Sequence, residues 1–395
     1  MQKPRLLELD GIRGVACILV LLDHIIFSNL SWMRGVGRLT PWLIGGVDLF
    51  FVLSGFLIGG ILIDNKGASN YFRVFWIRRA GRIWPVYYLL MLTFFGVLFI
   101  KPYLGAPWLD HFLFRDMMPL WTYPLFVQNF AQASDNWFGG ARWVGSTWSL
   151  AIEEQFYLIF PPLIYLMTKR GTASLAMCCI VAALLIRALL LQVTGSWTAG
   201  YFLLPGRMDS LAFGLLGALA LRTPSVLAST RQVRPALDAA AVLTVIFLTA
   251  NGLEFLARIV PQEGSFLIQN LDFTFRSAVF AYAIVRVFLV PEQSLYRRIL
   301  STPILVFSGS ISYALYMYHP AINGLLHGIV FSDEPKLPDI QHFLVALTVT
   351  AVSVMLAWLS TRYFEMPIRR MSHRMSYRHE PVFSRPEIKD PKPFS

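Results

Sequence analysis

The sequence contains few charged residues. Asp, Glu, Lys and Arg make up 14% of its 395 residues, whereas 56% are hydrophobic. An average protein has about 25% charged residues, so this scarcity indicates a multi-pass membrane protein rather than a soluble one. The net charge of +11 does not indicate nucleic-acid binding, because the basic residues lie in short gaps between apolar runs and in the tail.

Cysteine is also scarce, and Cys17, Cys178 and Cys179 all lie within apolar runs. They form neither a disulfide framework nor a metal-ligand spacing, so no metal is expected. The sequence has no P-loop and no GxGxxG motif, which argues against a kinase-type nucleotide site. No small-residue cleavage site follows the first apolar run, so we expect this run to be retained as a membrane span.

Length and apolarity predict an all-α protein with about ten transmembrane helices. The predicted spans are 12–29, 43–63, 86–101, 148–167, 173–194, 203–221, 236–252, 271–290, 303–330 and 341–364. With the N-terminus in the cytoplasm, the inner gaps and the tail hold 21 Lys and Arg residues, whereas the outer gaps hold 6. This positive-inside asymmetry predicts an even number of spans with both termini cytoplasmic.

Two segments lie outside this pattern. The gap 102–147 is long and aromatic, and its apolar run is too short for a span, so we expect a re-entrant or interfacial cap. The last residues are basic and rich in proline. We therefore predict a transmembrane domain over 1–370 and a solvated, disordered cytoplasmic tail over 371–395.

The first predicted span carries a cation and an imidazole. Arg13 and His24 are eleven residues apart, so in a regular α-helix they face one side, about 16 Å apart along the axis. Ionisable side chains inside a bilayer are costly and indicate a functional site. The alternative is that Arg13 is a snorkelling flank and His24 an interfacial residue.

Three arginines, Arg78, Arg79 and Arg82, lie just before Pro85, which can open the following helix. Guanidinium groups on one helical turn form a multidentate anion site that suits phosphate. The alternative is that these arginines only anchor the topology, since the gap is predicted to be cytoplasmic.

Acidic residues also occur inside predicted spans. Asp48 lies near the outer end of the second span, among small residues that favour close helix packing. Glu153 and Glu154 lie in the outer half of the fourth span. Neighbouring residues are about 100° apart on a helix, so only one of these two carboxylates can face a given wall.

Arg207 and Asp209 lie near the outer end of the sixth span, where a structural intramembrane ion pair is the alternative to a functional role. His319 follows a series of tyrosines in the ninth span. For this histidine, interfacial packing is favoured over catalysis.

Taken together, the motifs resemble those of the membrane-bound acyltransferase-3 family, the O-acetyltransferases of bacterial surface polysaccharides and related glycans. The resemblance runs from about residue 5 to 368. The matching pieces are Arg13 with His24, Gly46–Phe51 with Ser54–Phe56, Arg79, Arg82 and Pro85, Trp148–Leu150 with Glu153, Phe156 and Tyr157, Arg207 with Asp209, and Ile311–Tyr313 with His319. Longer members carry a fused periplasmic SGNH-type esterase domain. Its absence here leads us to expect a stand-alone form, in which the transfer ends on the acceptor or a separate protein completes it.

The resemblance implies an O-acyltransferase of the bacterial cytoplasmic (inner) membrane. Its donor would be cytoplasmic acetyl-CoA or another acyl-CoA, and its acceptor a hydroxyl of a glycan or lipid-linked sugar, such as lipopolysaccharide or exopolysaccharide, at the outer face. The catalytic residues would be His24, Glu153 and Asp23. Arg13, Arg79, Arg82 and Arg78 would bind the donor. The supporting or acceptor-side residues would be Asp48, Ser54, Trp148, Tyr157, Arg207, Asp209, Tyr313 and His319.

Two chemistries remain open for His24. It can act as a general base on the acceptor hydroxyl, with Asp23 or Glu153 fixing its tautomer, or it can carry the acyl group covalently. A multi-pass transporter of an anionic or acylated small molecule is the alternative function, although the sequence has no inverted repeat. Membrane lipids are expected partners, nucleic acid is not, and an oligomer is compatible with the sequence.

Overall fold

The structure, a computed structural model, describes residues 6–26, 40–134, 141–252 and 262–379. Within these ranges the chain is mostly helical and forms no β-sheet, which confirms the all-α prediction. The α-helices are α1 (Leu7–Leu21), α2 (Thr40–Asp64), α3 (Tyr71–Ile100), α4 (Gln128–Ser134), α5 (Trp148–Leu166), α6 (Lys169–Thr194), α7 (Thr198–Phe202), α8 (Leu204–Leu221), α9 (Pro224–Gln232), α10 (Arg234–Gly252), α11 (Gln262–Arg286), α12 (Leu295–Leu300), α13 (Pro303–Phe331), α14 (Ile340–Ser360) and α15 (Met366–His373). Tighter or wider helical turns cover Leu22–Ile26, Lys101–Tyr103, Leu109–Leu113, Leu120–Thr122, Gly145–Thr147 and Thr361–Glu365.

A helix overlaps each of the ten predicted spans, but fewer helices are long and apolar enough to cross a membrane by themselves. Among the described residues, four helical stretches meet that standard: Trp42–Asp64, Tyr71–Tyr103, Lys169–Thr194 and Ile340–His373. Helices α8 and α9, bent by 100° at the break between them, would make a fifth if they form one span. The count of ten and the orientation of the termini therefore stay predictions.

Helix α2 is the central helix of the bundle. In its most apolar part 78% of the residues are buried, compared with 33% for α3 and 22% each for α6 and α14. Because a soluble protein rarely exposes long apolar faces, the outward faces of α3, α6 and α14 are the surfaces that lipid would cover.

Helices α1 and α13 touch at their backbones. A Cβ atom placed on Gly14 would lie 2.0 Å from the carbonyl oxygen of Leu305, and one on Gly309 would lie 1.8 Å from that of Asp10. Only glycine permits this approach, as is common where helices pack inside membranes. The close contact brings together the chain segments that carry His24 and His319.

The described part of the aromatic gap 102–147 folds into short helices and turns, the longest being α4 with 7 residues. Tyr123 and Phe114 pack on Phe94 of α3, and the Tyr87 hydroxyl donates a hydrogen bond to the Tyr123 carbonyl oxygen. The segment therefore covers one end of α3. The depth at which it lies in a membrane stays a prediction.

The end of the chain is more ordered than the predicted tail from residue 371. Helix α15 continues to His373, and residues 374–379, here called the C-terminal strap, lie against the loop 65–70. The backbone N–H groups of Ser69 and Arg378 donate to the Arg378 carbonyl oxygen and to Asn70 Oδ1, each at 2.9 Å. Residues 374–379 of the predicted tail thus contact the rest of the chain. Residues 380–395 lie outside the described part of the chain, and the disordered tail stays a prediction.

Candidate active site

The most distinctive polar contact in the bundle joins two histidines. His24 Nδ1 lies 2.8 Å from Nε2 of His319, and the two rings stack with their centroids 5.1 Å apart. His24 belongs to the π-helical turn Leu22–Ile26, which continues α1 with a wider turn. Such turns are rare and are frequently found at functional sites. Because the regular α-helix ends at Leu21 and His24 lies in a wider turn, the prediction that Arg13 and His24 share one helical face does not extend to His24.

The hydrogen bonds of this pair define its tautomers. His319 Nδ1 lies 3.0 Å from the Leu315 carbonyl oxygen, which can only accept, so this nitrogen carries the proton. With both rings neutral, His319 Nε2 is then an acceptor, and His24 Nδ1 must donate to it. The basic lone pair of His24 therefore lies on Nε2. In this arrangement one ring nitrogen of His24 donates a hydrogen bond to a fixed acceptor, and the other ring nitrogen is thereby oriented to act as a base.

Asp23 lies next to this nitrogen. Its Oδ2 is 3.9 Å from His24 Nε2. At this distance the carboxylate stabilises the positive charge that the ring acquires when Nε2 takes a proton. The structure thus places Asp23, rather than Glu153, beside the imidazole.

A separate cavity of about 100 Å³ gathers the arginines. Arg13 from α1 and Arg79 and Arg82 from α3 line it together with a single carboxylate, that of Glu153. Arg13 is paired with Asp10 at 2.7 Å, so Arg79 and Arg82, facing the one carboxylate of the lining, supply the excess of positive charge that suits an anionic ligand. Residues of several sequence motifs therefore meet in space, whereas their role in donor binding stays a proposal.

Glu153 is oriented by hydroxyl groups. The Tyr157 hydroxyl donates to its Oε2 at 2.9 Å, and the Ser54 hydroxyl lies 2.8 Å from the same tyrosine oxygen. Glu154, one residue further along, accepts instead from the Trp84 indole at 3.3 Å. Only one of the adjacent carboxylates faces the cavity, as the helical geometry requires.

The cavity approaches the histidine pair through residues that the sequence did not single out. Tyr316 lines the cavity, and its ring centroid is 6.0 Å from that of His319, one turn further along α13. Its hydroxyl lies 2.8 Å from that of Ser149. The signal for both residues was weak: Ser149 lies inside the Trp-Ser-Leu motif, and Tyr316 is one of several tyrosines before His319.

Two other predicted site residues have contacts that hold the fold together. The Arg78 guanidinium donates to the Met375 carbonyl oxygen of the C-terminal strap from Nε and Nη2, at 3.1 and 2.7 Å. It does not line the arginine cavity. Tyr313 lines the cavity, but its hydroxyl donates to the Ile83 carbonyl oxygen at 2.7 Å and so joins α13 to α3.

The remaining charged candidates belong to buried ion pairs. Asp48 is fully buried and paired with Arg207 and Arg276, the second at 3.3 Å. Asp209 is paired with Arg187 at 2.9 Å rather than with its neighbour Arg207. Both residues are thus engaged in intramembrane ion pairs, the structural alternative for them, and each side chain reaches a different helix.

Arg187 and Arg276 were missed by the sequence reasoning, although each is an arginine inside a predicted span. Trp148 also has a packing role. Its ring meets Phe51, Tyr201 and Phe202 with centroids 6.1, 4.7 and 5.1 Å away.

A helical chain with exposed apolar faces, a hydrogen-bonded histidine pair and an arginine-lined cavity has the features of a membrane-bound transferase. A family model described as an acyltransferase domain matches residues 6–362. The chain therefore belongs to the acyltransferase-3 family, as its motifs suggested.

Three curated relatives of the chain are named O-acetyltransferases. The chain is 28% identical over 387 residues to the peptidoglycan O-acetyltransferase of Listeria monocytogenes, covering 92% of this chain and 56% of that protein. It is also 28% identical over 380 residues to a putative peptidoglycan O-acetyltransferase of Bacillus subtilis, covering 93% and 55% of the two chains. A putative O-acetyltransferase of Staphylococcus aureus matches at 28% over 377 residues, covering 92% and 57%.

The chain thus spans about half the length of the curated relatives it matches. No solved structure matches it.

Proposed function

We propose that this protein is a membrane O-acyltransferase that moves an acyl group, most simply acetyl, from cytoplasmic acyl-CoA to a hydroxyl group of a glycan at the outer face of the membrane. The observation that carries the proposal is the pairing of His24 with His319, which orients a basic nitrogen of His24. His319 lies one turn along α13 from Tyr316, which lines the arginine cavity. Relatives named peptidoglycan O-acetyltransferases make a peptidoglycan-type acceptor a better candidate than lipopolysaccharide.

The donor end of the site is the arginine cavity. Acyl-CoA carries its phosphates on the adenosine end, which a long pantetheine arm joins to the thioester, and guanidinium groups bind phosphate with paired hydrogen bonds. Arg79 and Arg82 lie on the segment that the charge asymmetry assigns to the cytoplasm. The arm would extend past Glu153 and Tyr316 toward His319 and His24, which lie on the side of Tyr316 away from the arginines.

The proposed reaction uses His24 as a general base. Nε2 takes the proton of the acceptor hydroxyl while the hydroxyl oxygen attacks the thioester carbonyl carbon. The new C–O bond forms, the C–S bond breaks, and the coenzyme A thiolate leaves and receives the proton from the imidazolium. Asp23 stabilises the imidazolium, and His319 keeps the ring oriented throughout.

A covalent route through the same nitrogen uses the same groups. His24 Nε2 would attack the thioester carbonyl first, releasing the coenzyme A thiolate, and the acceptor hydroxyl would then take the acyl group from the ring. Rapid quenching of the enzyme with radiolabelled donor and no acceptor distinguishes the two routes. Label on the protein indicates the covalent route.

A cell-free assay tests the function itself. Membranes containing the protein are incubated with radiolabelled acetyl-CoA and with peptidoglycan fragments, lipopolysaccharide or exopolysaccharide, and membranes without the protein serve as the control. We expect label on a glycan and release of free coenzyme A in equal amounts. Unmodified glycans, together with uptake of a labelled compound into sealed vesicles, would indicate the transporter instead.

A further inference from the structure

The side of the histidine pair away from the arginine cavity carries a cation that the proposed mechanism does not use. Arg142 lies in the gap 102–147, shortly before α5, and is exposed. Its guanidinium lies over the Phe112 ring, 5.9 Å from the ring centroid. Phe112 in turn packs on α13 at Gly324, where an added Cβ would lie 2.8 Å from the Phe112 ring.

This contact with α13 places Arg142 close to the histidine pair. The residue before that glycine is Asn323, one turn after His319, and its side-chain amide donates to the His24 carbonyl oxygen at 3.5 Å. The Arg142 guanidinium is close enough for its charge to act on the His24 ring. Tyr316, which lines the arginine cavity, precedes His319 on α13. Along α13, the arginine cavity and Arg142 therefore lie on opposite sides of His319.

The charge of Arg142 is not taken up by an ion pair in the described part of the chain. The carboxylates that act on it are those of Asp116 and Glu334. Each of them is paired with another cation, Asp116 with Arg115 at 2.9 Å and Glu334 with Lys336 at 3.4 Å. Arg142 therefore presents an exposed guanidinium whose geometry suits a carboxylate or a phosphate.

An anion bound to Arg142 would assist the proposed chemistry. General-base catalysis places a positive charge on the His24 ring, and a second positive charge nearby opposes this step. An anionic group on Arg142 cancels that opposition. The His24 side chain is 40% exposed, so an acceptor hydroxyl can reach it while the anionic group of the same acceptor stays on Arg142.

We propose that Arg142 selects the acceptor by binding an anionic group, a carboxylate or a phosphate, that lies near the hydroxyl to be acylated. This inference rests on the proposed function and narrows its acceptor to an acidic glycan or an acidic lipid-linked sugar. It also gives a role in acceptor binding to the gap 102–147, where no site residue was expected.

Acceptors that differ in charge test the inference on the unchanged protein. The wild-type protein in lipid nanodiscs receives radiolabelled acetyl-CoA and one of three acceptors: a peptidoglycan disaccharide with a free carboxylate, its methyl ester, or that ester joined to a lipid through a pyrophosphate. One charge-assisted contact corresponds to about ten- to a hundredfold in affinity, so the KM of a charged acceptor should lie below that of the neutral ester by this factor. A low KM of the free acid identifies a carboxylate as the bound group, and a low KM of the pyrophosphate-linked ester identifies a phosphate.

Substitution of Arg142 completes a double-mutant cycle between protein and acceptor. In Arg142→Gln the advantage of the charged acceptor should disappear, while the KM values for the neutral ester and for acetyl-CoA stay close to those of the wild-type protein. Arg142→Lys retains the charge without the planar fork and should recover part of the advantage. Lys101→Gln is the matched control, because it removes one positive charge from the start of the same region, at a residue paired with Asp110.

The outcomes separate this inference from the function on which it rests. If the wild-type protein acetylates all three acceptors with equal KM, the proposed function stands and the selection of an anion is overturned. If Arg142→Gln raises the KM of all three acceptors by the same factor, Arg142 has a structural role and the inference is likewise overturned. If the wild-type protein binds coenzyme A but acetylates none of the three, the peptidoglycan-type acceptor fails together with the inference.

Discussion

At the scale of single residues, the two hydrogen bonds of the His319 ring indicate how this residue can orient His24. Its Nδ1 is committed to the Leu315 carbonyl oxygen, which leaves Nε2 as the acceptor for His24. Catalytic histidines commonly use a carboxylate for this purpose. Here a second, fully buried imidazole is placed to do the same, and we propose that His319 is a positioning residue.

Replacement of His319 tests that role. His319→Leu removes the acceptor and should lower kcat by about 10- to 1,000-fold, part of the 10²–10⁴ that general base catalysis contributes. His319→Gln keeps a carbonyl acceptor and should recover part of the loss. The KM for acyl-CoA should change little in both variants. Equal losses in the two variants, or a loss seen mainly in the donor KM, would contradict the positioning role.

The arginines at 79 and 82 can be tested by keeping their charge. Lysine at both positions preserves the positive charge that topology needs but loses the planar fork. One charge-assisted phosphate contact contributes about 1.5–3 kcal/mol, so the KM for acyl-CoA should rise by about ten- to a hundredfold.

The acceptor KM of the double variant should hardly move, because the acceptor is proposed to enter from the opposite face. Arg73→Lys is the control, since Arg73 is exposed on α3 and does not line the arginine cavity. A donor KM that stays at the wild-type value would leave Arg79 and Arg82 as topology anchors.

The sequence identified most of the residues that meet at the two ends of the site, because charged residues within apolar runs and the family motifs can be recognised without knowledge of the fold. It did not identify which of them touch. His24 and His319 are 295 positions apart, and nothing in either neighbourhood predicts their hydrogen bond. Glu153 was expected near His24 because both lie in outer halves of spans, but its oxygen is engaged by Tyr157 in the arginine cavity.

At the scale of helices, the contact between α1 and α13 fixes the distance between the two histidines. Gly14→Ala would place a Cβ 2.0 Å from the Leu305 carbonyl oxygen, so the helices must separate. Overpacking of this kind costs about 1–3 kcal/mol. We expect a lower melting temperature and a reduced rate of acyl transfer, measured on the same detergent-solubilised preparation.

Gly96→Ala provides the matched comparison. Gly96 also lies inside a helix, α3, but a Cβ there meets no atom within 4 Å. Alanine is favoured over glycine in helices by about 1 kcal/mol, so this variant should be as stable as the wild-type protein or slightly more stable. If both variants behave alike, the close contact of α1 with α13 does not position the histidines.

Helix positions were predictable because apolar runs of sufficient length are recorded directly in the sequence. The C-terminal strap was not, because its composition is polar and basic, as in a disordered tail. What orders it is a set of hydrogen bonds to a loop more than 300 residues earlier in the chain, including those of Asn70. A contact of that sequence separation leaves no periodic signal.

At the scale of the whole molecule, the contacts agree with the charge asymmetry. The strap and the loop 65–70, both predicted to be cytoplasmic, lie against each other. At the predicted outer face, the Asn129 amide donates to the Phe202 carbonyl oxygen at 3.1 Å, joining two predicted outer gaps. Segments assigned to the same side are therefore neighbours in the fold.

Cysteine labelling in intact cells tests the topology. In a background without the native cysteines, Asn65→Cys and Ala228→Cys should react only with membrane-permeant maleimides. Asp333→Cys should also react with impermeant reagents, because the gap 331–340 is predicted to face outward. Reaction of position 228 from outside would show that an odd number of spans precedes it.

The catalytic role of His24 is tested by the acyl-transfer rate of His24→Ala. This variant is purified, reconstituted in lipid and supplied with radiolabelled acetyl-CoA and the glycan acceptor of the wild-type protein. If His24 is the general base or the acyl carrier, the rate should fall by at least about a hundredfold, down to background, while coenzyme A binding and the melting temperature stay close to those of the wild-type protein. A well-folded His24→Ala protein that transfers acetyl groups at a near-normal rate would contradict this role.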